Sequence, residues 1–111
     1  MRKERIASVL EREISQIIAH DINDPRLGFV TITKVLVSPD LKEAVVYFSS
    51  LEKKDEAHNT LKRAKGYIRS ILAQRVRIRF IPDLRFEIDD SFEFGKKIDA
   101  LIENVNKNNK E

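Results

Sequence analysis

The residues in this chain best suited to chemistry are cations. Lys62, Arg63, Lys65, Arg69, Arg75, Arg77 and Arg79 all stand between Ala57 and Pro82, a stretch of seven basic side chains with no acidic one. The whole chain carries a formal charge of +3, so the remainder sums to −4 and the positive charge is segregated. Segregated positive charge implies a polyanionic partner held through its phosphates, with affinity that falls steeply as salt rises.

Catalysis has little to work with. His20 and His58 lie in predicted helices without metal-ligand spacing, and no Ser-His-Asp or Gly-rich phosphate motif is present. Gly28, Gly66 and Gly95 are too far apart for a P-loop or a dinucleotide fingerprint. The densest carboxylates, Asp83, Glu87, Asp89 and Asp90, could in principle hold Mg²⁺. They read more simply as the polar side of a strand running into a helix N-cap. No catalytic residue, metal or cofactor is expected.

The elements that must present the cations follow from periodicity. Ile6, Val9, Leu10, Ile14, Ile17 and Ile18 recur at spacings of three and four, which predicts a helix over 2–22. On its wet side Arg5 and Arg12 share a flank with Gln16, opposite Glu4 and Glu11. The run Asn23-Asp24-Pro25-Arg26-Leu27-Gly28 stops this helix. Phe29–Ser38 is β-rich, but its alternation slips between Val30/Ile32 and Val35/Val37, and a β-bulge at Thr33 or Lys34 would return both pairs to one face. Turn chemistry at Ser38-Pro39-Asp40-Leu41 precedes a second strand through Ala44, Val46 and Phe48, so an antiparallel hairpin is expected.

Ser49 and Glu52 have capping-box spacing for the next helix. Ala57, Leu61, Ala64, Ile68, Ile71 and Leu72 then form one apolar stripe, with Gly66 on the opposite side. Glycine there costs about 1 kcal/mol against alanine. Either the helix breaks at Gly66 or something outside approaches its backbone. Lys62, Lys65 and Arg69 project on one side of this helix. Residues 77–89 alternate as a half-buried strand with Ile78, Phe80, Leu84, Phe86 and Ile88 inward, Arg77, Arg79 and Arg85 outward, and Pro82 in the middle at an edge or bulge. Asp89-Asp90-Ser91 would cap a final helix with Phe94, Ile98, Leu101, Ile102 and Val105 buried, and residues 106–111 should fray. Most of the six phenylalanines fall on core faces, leaving Tyr47 and Tyr67 as candidates for base stacking. Recognition of folded RNA by shape and backbone fits this better than base reading.

With 111 residues, 41% hydrophobic and 35% charged, the chain has the size of one soluble α+β domain with one core. No apolar run could span a membrane and no export signal is visible. With no cysteine, a reducing cytoplasm is the expected location.

Five motifs occur in order: Asp24-Pro25-Arg26-Leu27-Gly28, Val30-Thr31-Ile32-Thr33, Val37-Ser38-Pro39-Asp40-Leu41, Ala64-Lys65-Gly66-Tyr67-Ile68-Arg69 and Ile81-Pro82-Asp83-Leu84-Arg85-Phe86. Through them the chain resembles the bacterial ribosome-binding factor A family over nearly its full length. The resemblance implies a type II KH-like fold in which a three-stranded mixed sheet carries helices on one face. Residues 1–105 would form a single KH-like rRNA-binding domain. Ala64-Lys65-Gly66 would supply an Ala-x-Gly interhelical kink in place of the Gly-x-x-Gly loop of ordinary KH domains.

It further implies a monomeric, non-enzymatic assembly factor on the free small (30S) ribosomal subunit. Such a factor assists late 16S rRNA maturation and cold adaptation, and is released with help from a ribosome-dependent GTPase. The seven cations of the basic run would bind RNA, with Arg5, Arg12 and Arg85 as candidate additional contacts. The alternative is a protein-interaction adaptor that recruits an acidic partner through the same basic helical surface.

Overall fold

The computed structural model describes residues 2–90. Its elements run α1 (Lys3–His20), β1 (Val30–Val37), β2 (Glu43–Ser50), α2 (Lys54–Arg75) and β3 (Asp83–Ile88). The predicted final helix and the polar tail at 106–111 lie outside the described residues. β2 is central, antiparallel to β1 and parallel to β3, which makes the three-stranded mixed sheet expected of the family.

α1 buries Ile6, Leu10, Ile14, Ile17 and Ile18, the stripe that its spacing predicts. It ends where Asp21 and Ile22 both donate their N–H to the Ile17 carbonyl. Asp24 then folds the chain back by accepting the Arg26 N–H at 2.9 Å and two guanidinium contacts at 3.0 and 2.8 Å. Those bonds lower the Asp24 pKa to about 2, because each stabilises the carboxylate over the acid. Gly28 follows with a φ of +62°, a conformation that side chains resist. The turn tucks Leu27 into the core.

The hairpin register shifts between Ile32 and Lys34, so the expected bulge exists, and it keeps Ile32, Val35 and Val37 all facing inward. In the turn, Ser38 Oγ donates to Asp40 while that carboxylate also accepts the Lys42 N–H. These two bonds draw the Asp40 pKa below its ordinary value. Ala44, Val46 and Phe48 on β2 and Leu84 and Phe86 on β3 meet the two helices in one apolar layer. Full burial of each large aliphatic or aromatic side chain contributes about 1.5–3 kcal/mol.

Three expectations are corrected. The Ser49/Glu52 capping box does not form. Strand β2 extends through Ser50, whose hydroxyl donates to the Glu52 carbonyl, and α2 starts instead from Lys53 in a left-handed conformation. The third strand is shorter than its alternation suggests. Only Asp83–Ile88 pairs with β2, and Pro82, which has no N–H to donate, stands just before the ladder. Lastly, α2 is one helix of 22 residues that passes through Gly66 without interruption, not two helices divided there.

A Cβ added at Gly66 would meet nothing within 4 Å. Gly66→Ala should therefore stabilise the free protein by about 1 kcal/mol, raising Tm by roughly 4–8 °C. A lowered melting temperature would show that the backbone there has a geometry alanine cannot reach.

Candidate nucleic-acid interface

The structure sorts the seven cations of the basic run into those already engaged and those free to meet a partner. Arg69 is half-buried on α2. Its Nε–H donates to the Pro82 carbonyl at 3.1 Å and its Nη2 to the Ile81 carbonyl at 2.9 Å. Lys65 faces Asp83 at 3.7 Å, and Arg75 reaches Asp21 at the end of α1 at 3.0 Å. Arg63 donates to a neutral group, the Thr60 hydroxyl, at 3.3 Å. Lys62, Arg77 and Arg79 are exposed and make no ion pair among the described residues.

Local structure explains the division. Lys62 and Arg63 lie on the turn of α2 just before Gly66, on its solvent side, where no carboxylate among the described residues forms a salt bridge with them. Arg69 sits nearer the sheet and can bend over the segment at 76–82. That segment lies outside the sheet ladder, which begins at Asp83, so its carbonyls need partners that a ladder would otherwise supply. Arg69 provides them for Ile81 and Pro82 and so braces the end of the segment that carries Arg77 and Arg79. Among the additional candidates, Arg12 lies 3.8 Å from Glu13 on α1. Arg85 is held at 2.7 Å by Glu87 on β3, which raises the guanidinium pKa. Arg5 is exposed.

The carboxylates have ordinary partners. Besides the Asp83 and Glu87 pairs, Asp89 accepts the Thr33 hydroxyl at 2.6 Å and Asp90 lies 3.8 Å from Lys54. Among the described residues no group of three His, Asp or Glu side chains is placed to hold a metal ion. His58 packs against Phe48 with ring centroids 5.6 Å apart, and its Nε2 meets the Phe86 carbonyl at 2.5 Å. Donation to that carbonyl makes Nε2 the protonated nitrogen. Within the described residues no helix is long and apolar enough to cross a membrane.

The aromatic inventory also needs correction. Phe80, expected on the core face, is 74% exposed, and Phe29 is 84% exposed. The Arg79 guanidinium lies over the Phe80 ring, 5.5 Å from its centroid. Pro82 was the available signal: a proline inside an apparent strand argues that the residues before it are not in the ladder, which frees their inward parity. Phe80 and Lys42 thus join the basic surface, beside a groove between residues 40–42 and 77–83.

Exposed cations thus stand on α2 and on the adjoining segment that Arg69 braces, and among the described residues no His, Asp and Glu cluster that could hold a metal lies between them. The family model for ribosome-binding factor A matches residues 2–102. The crystal structure of ribosome-binding factor A from Thermus thermophilus is similar at 31% identity and a TM-score of 0.75, covering 78% of this chain and 94% of that one. A Thermus thermophilus ribosome-binding factor A, as fitted into a cryo-EM map of a 30S complex, aligns at 31% identity over 76% of this chain and 91% of that one, with a TM-score of 0.67. A solution structure of a Thermotoga maritima protein assigned as a ribosome-binding factor A aligns at 33% identity over 78% and 85%, with a TM-score of 0.68. With the family match spanning nearly the whole sequence and the fold shared with these structures, the chain belongs to the ribosome-binding factor A family.

Proposed function

We propose that this protein is a cytoplasmic, non-enzymatic assembly factor. It binds the free small ribosomal subunit as a monomer and holds 16S rRNA in an immature conformation until late maturation is complete. A role in growth in the cold and release by a ribosome-dependent GTPase complete the reading. The observation that carries it is family membership together with a relative placed in a 30S complex. The surface supports it: Lys62, Arg63, Arg77 and Arg79 face solvent with no salt bridge among the described residues, as phosphate ligands must. Lys65, Arg69 and Arg75 brace that surface, with Arg5 and Arg12 on α1 as peripheral contacts.

Gly66 fits the same surface. It is exposed on α2 beside Lys62 and Arg63, and nothing in the described protein needs the space its missing side chain leaves. An RNA backbone passing close to the helix would use that space.

The test is co-sedimentation with purified small subunits across a salt series, before and after RNA digestion. Binding that weakens with salt and disappears after digestion is expected. Association that survives complete RNA digestion would replace this reading with that of an adaptor for an acidic protein.

A further inference from the structure

The groove beside Phe80 encloses about 760 Å³ and is not explained by phosphate contacts alone. Its volume lies within the ordinary range of small-molecule sites. The floor is apolar, formed by residues such as Ile6, Leu41 and Ile78, and four cations line it: Lys42, Arg69, Arg77 and Arg79. The two acidic residues at its rim are already partnered, Asp40 by Ser38 and the Lys42 amide, Asp83 by Lys65. Charge and apolar surface therefore converge on one concave place.

Phe80 stands at this groove with 74% of its surface exposed. Its placement is built, since Arg69 holds the carbonyls of the next two residues, Ile81 and Pro82. A solvent-facing aromatic on a braced backbone, with an arginine over its ring, matches how proteins stack unpaired bases. Paired RNA cannot use such a ring, because its bases are already stacked on one another. An acidic peptide would satisfy the arginines but leave the ring and the apolar floor with no planar partner.

We propose that this groove captures a single unpaired nucleotide of the bound RNA. The base stacks on Phe80 and the flanking phosphates meet Arg77 and Lys42. The proposal rests on the RNA-binding reading above and adds to it a preference for single-stranded RNA next to the phosphate-binding face.

The test uses the full chain and a single-stranded uridine nonamer with a central 2-aminopurine, whose fluorescence is quenched on stacking. Wild type should quench the probe and bind it about tenfold more tightly than Phe80→Leu, while Phe80→Tyr keeps both properties. Phe80→Leu should leave the salt dependence unchanged, whereas Arg77→Gln should lower the log-log slope by about one. Thermal melts of each variant establish that the fold is retained.

Equal affinity and equal quenching in wild type and Phe80→Leu would overturn the proposal. So would a polyglutamate decamer that displaces the probe from wild type and binds less well to Phe80→Leu. Small-subunit co-sedimentation separates the two levels. Phe80→Leu that matches wild type on the nonamer while both co-sediment sinks the groove and leaves the ribosomal reading standing. Loss of co-sedimentation by wild type itself sinks the ribosomal reading, and the nonamer alone then decides the groove.

Discussion

Changing Lys62, Arg77 and Arg79 together to glutamate should lower small-subunit association by roughly two orders of magnitude and flatten its salt dependence. These three side chains are exposed and carry no ion pair among the described residues, so reversing them removes ligands for phosphate without breaking a salt bridge, although the exposed Phe80 ring loses its contact with Arg79. Surface substitutions of this kind usually change stability by less than about 0.5 kcal/mol, so the melting temperature should stay close to that of wild type. Reversal at Lys65 and Arg69 would be a poorer experiment. Glutamate at 65 would face Asp83, and glutamate at 69 would face the carbonyls of Ile81 and Pro82. Loss of binding there would mix a missing contact with a displaced segment. If the triple variant sediments with subunits as well as wild type does, the basic surface is not where RNA binds.

Much of the architecture was legible because it rests on strong periodicity. The α1 stripe, the hairpin and its bulge, and the inward set Leu84 and Phe86 each repeat a single pattern several times, and burial follows the pattern. The bulge was readable because a one-residue slip in parity would otherwise send Val35 and Val37 into water. What periodicity could not decide were single residues whose effect depends on what lies around them. Gly66 costs helix stability, but an apolar stripe packed on a sheet outweighs about 1 kcal/mol, and the helix continues. Residues 77–81 alternate like a strand, yet alternation alone does not supply a neighbour to pair with, and Pro82 marks where pairing begins.

The same limit applies to the site. The charge run was visible in the sequence, but the difference between bracing and free cations was not. That difference depends on contacts such as Arg69 with residues 12 and 13 positions away, and Arg75 with Asp21, 54 positions away. The parity that Phe80 shares with Leu84 points it to the core, but parity has meaning only inside a ladder, which begins after Pro82.

Arg69→Ala should destabilise the protein by about 2–3 kcal/mol, the scale expected for losing charge-assisted hydrogen bonds from a half-buried side chain. For a domain of this size the melting temperature should fall by on the order of 10 °C. The two bonds leave the guanidinium through different nitrogens and end on consecutive carbonyls, so its planar fork sets the path of the chain into β3. Arg69→Lys keeps the charge but not the fork, and should recover only part of the lost stability. RNA association should weaken in both variants, because Arg77, Arg79 and Phe80 are carried on the segment that Arg69 holds. If Arg69 were instead a phosphate ligand, Arg69→Ala would melt like wild type and lose about one unit of salt slope, and Arg69→Lys would bind nearly normally. The melting temperature thus falls for a bracing arginine and holds for a binding one, and measuring it beside the salt slope on the same variant decides which Arg69 is.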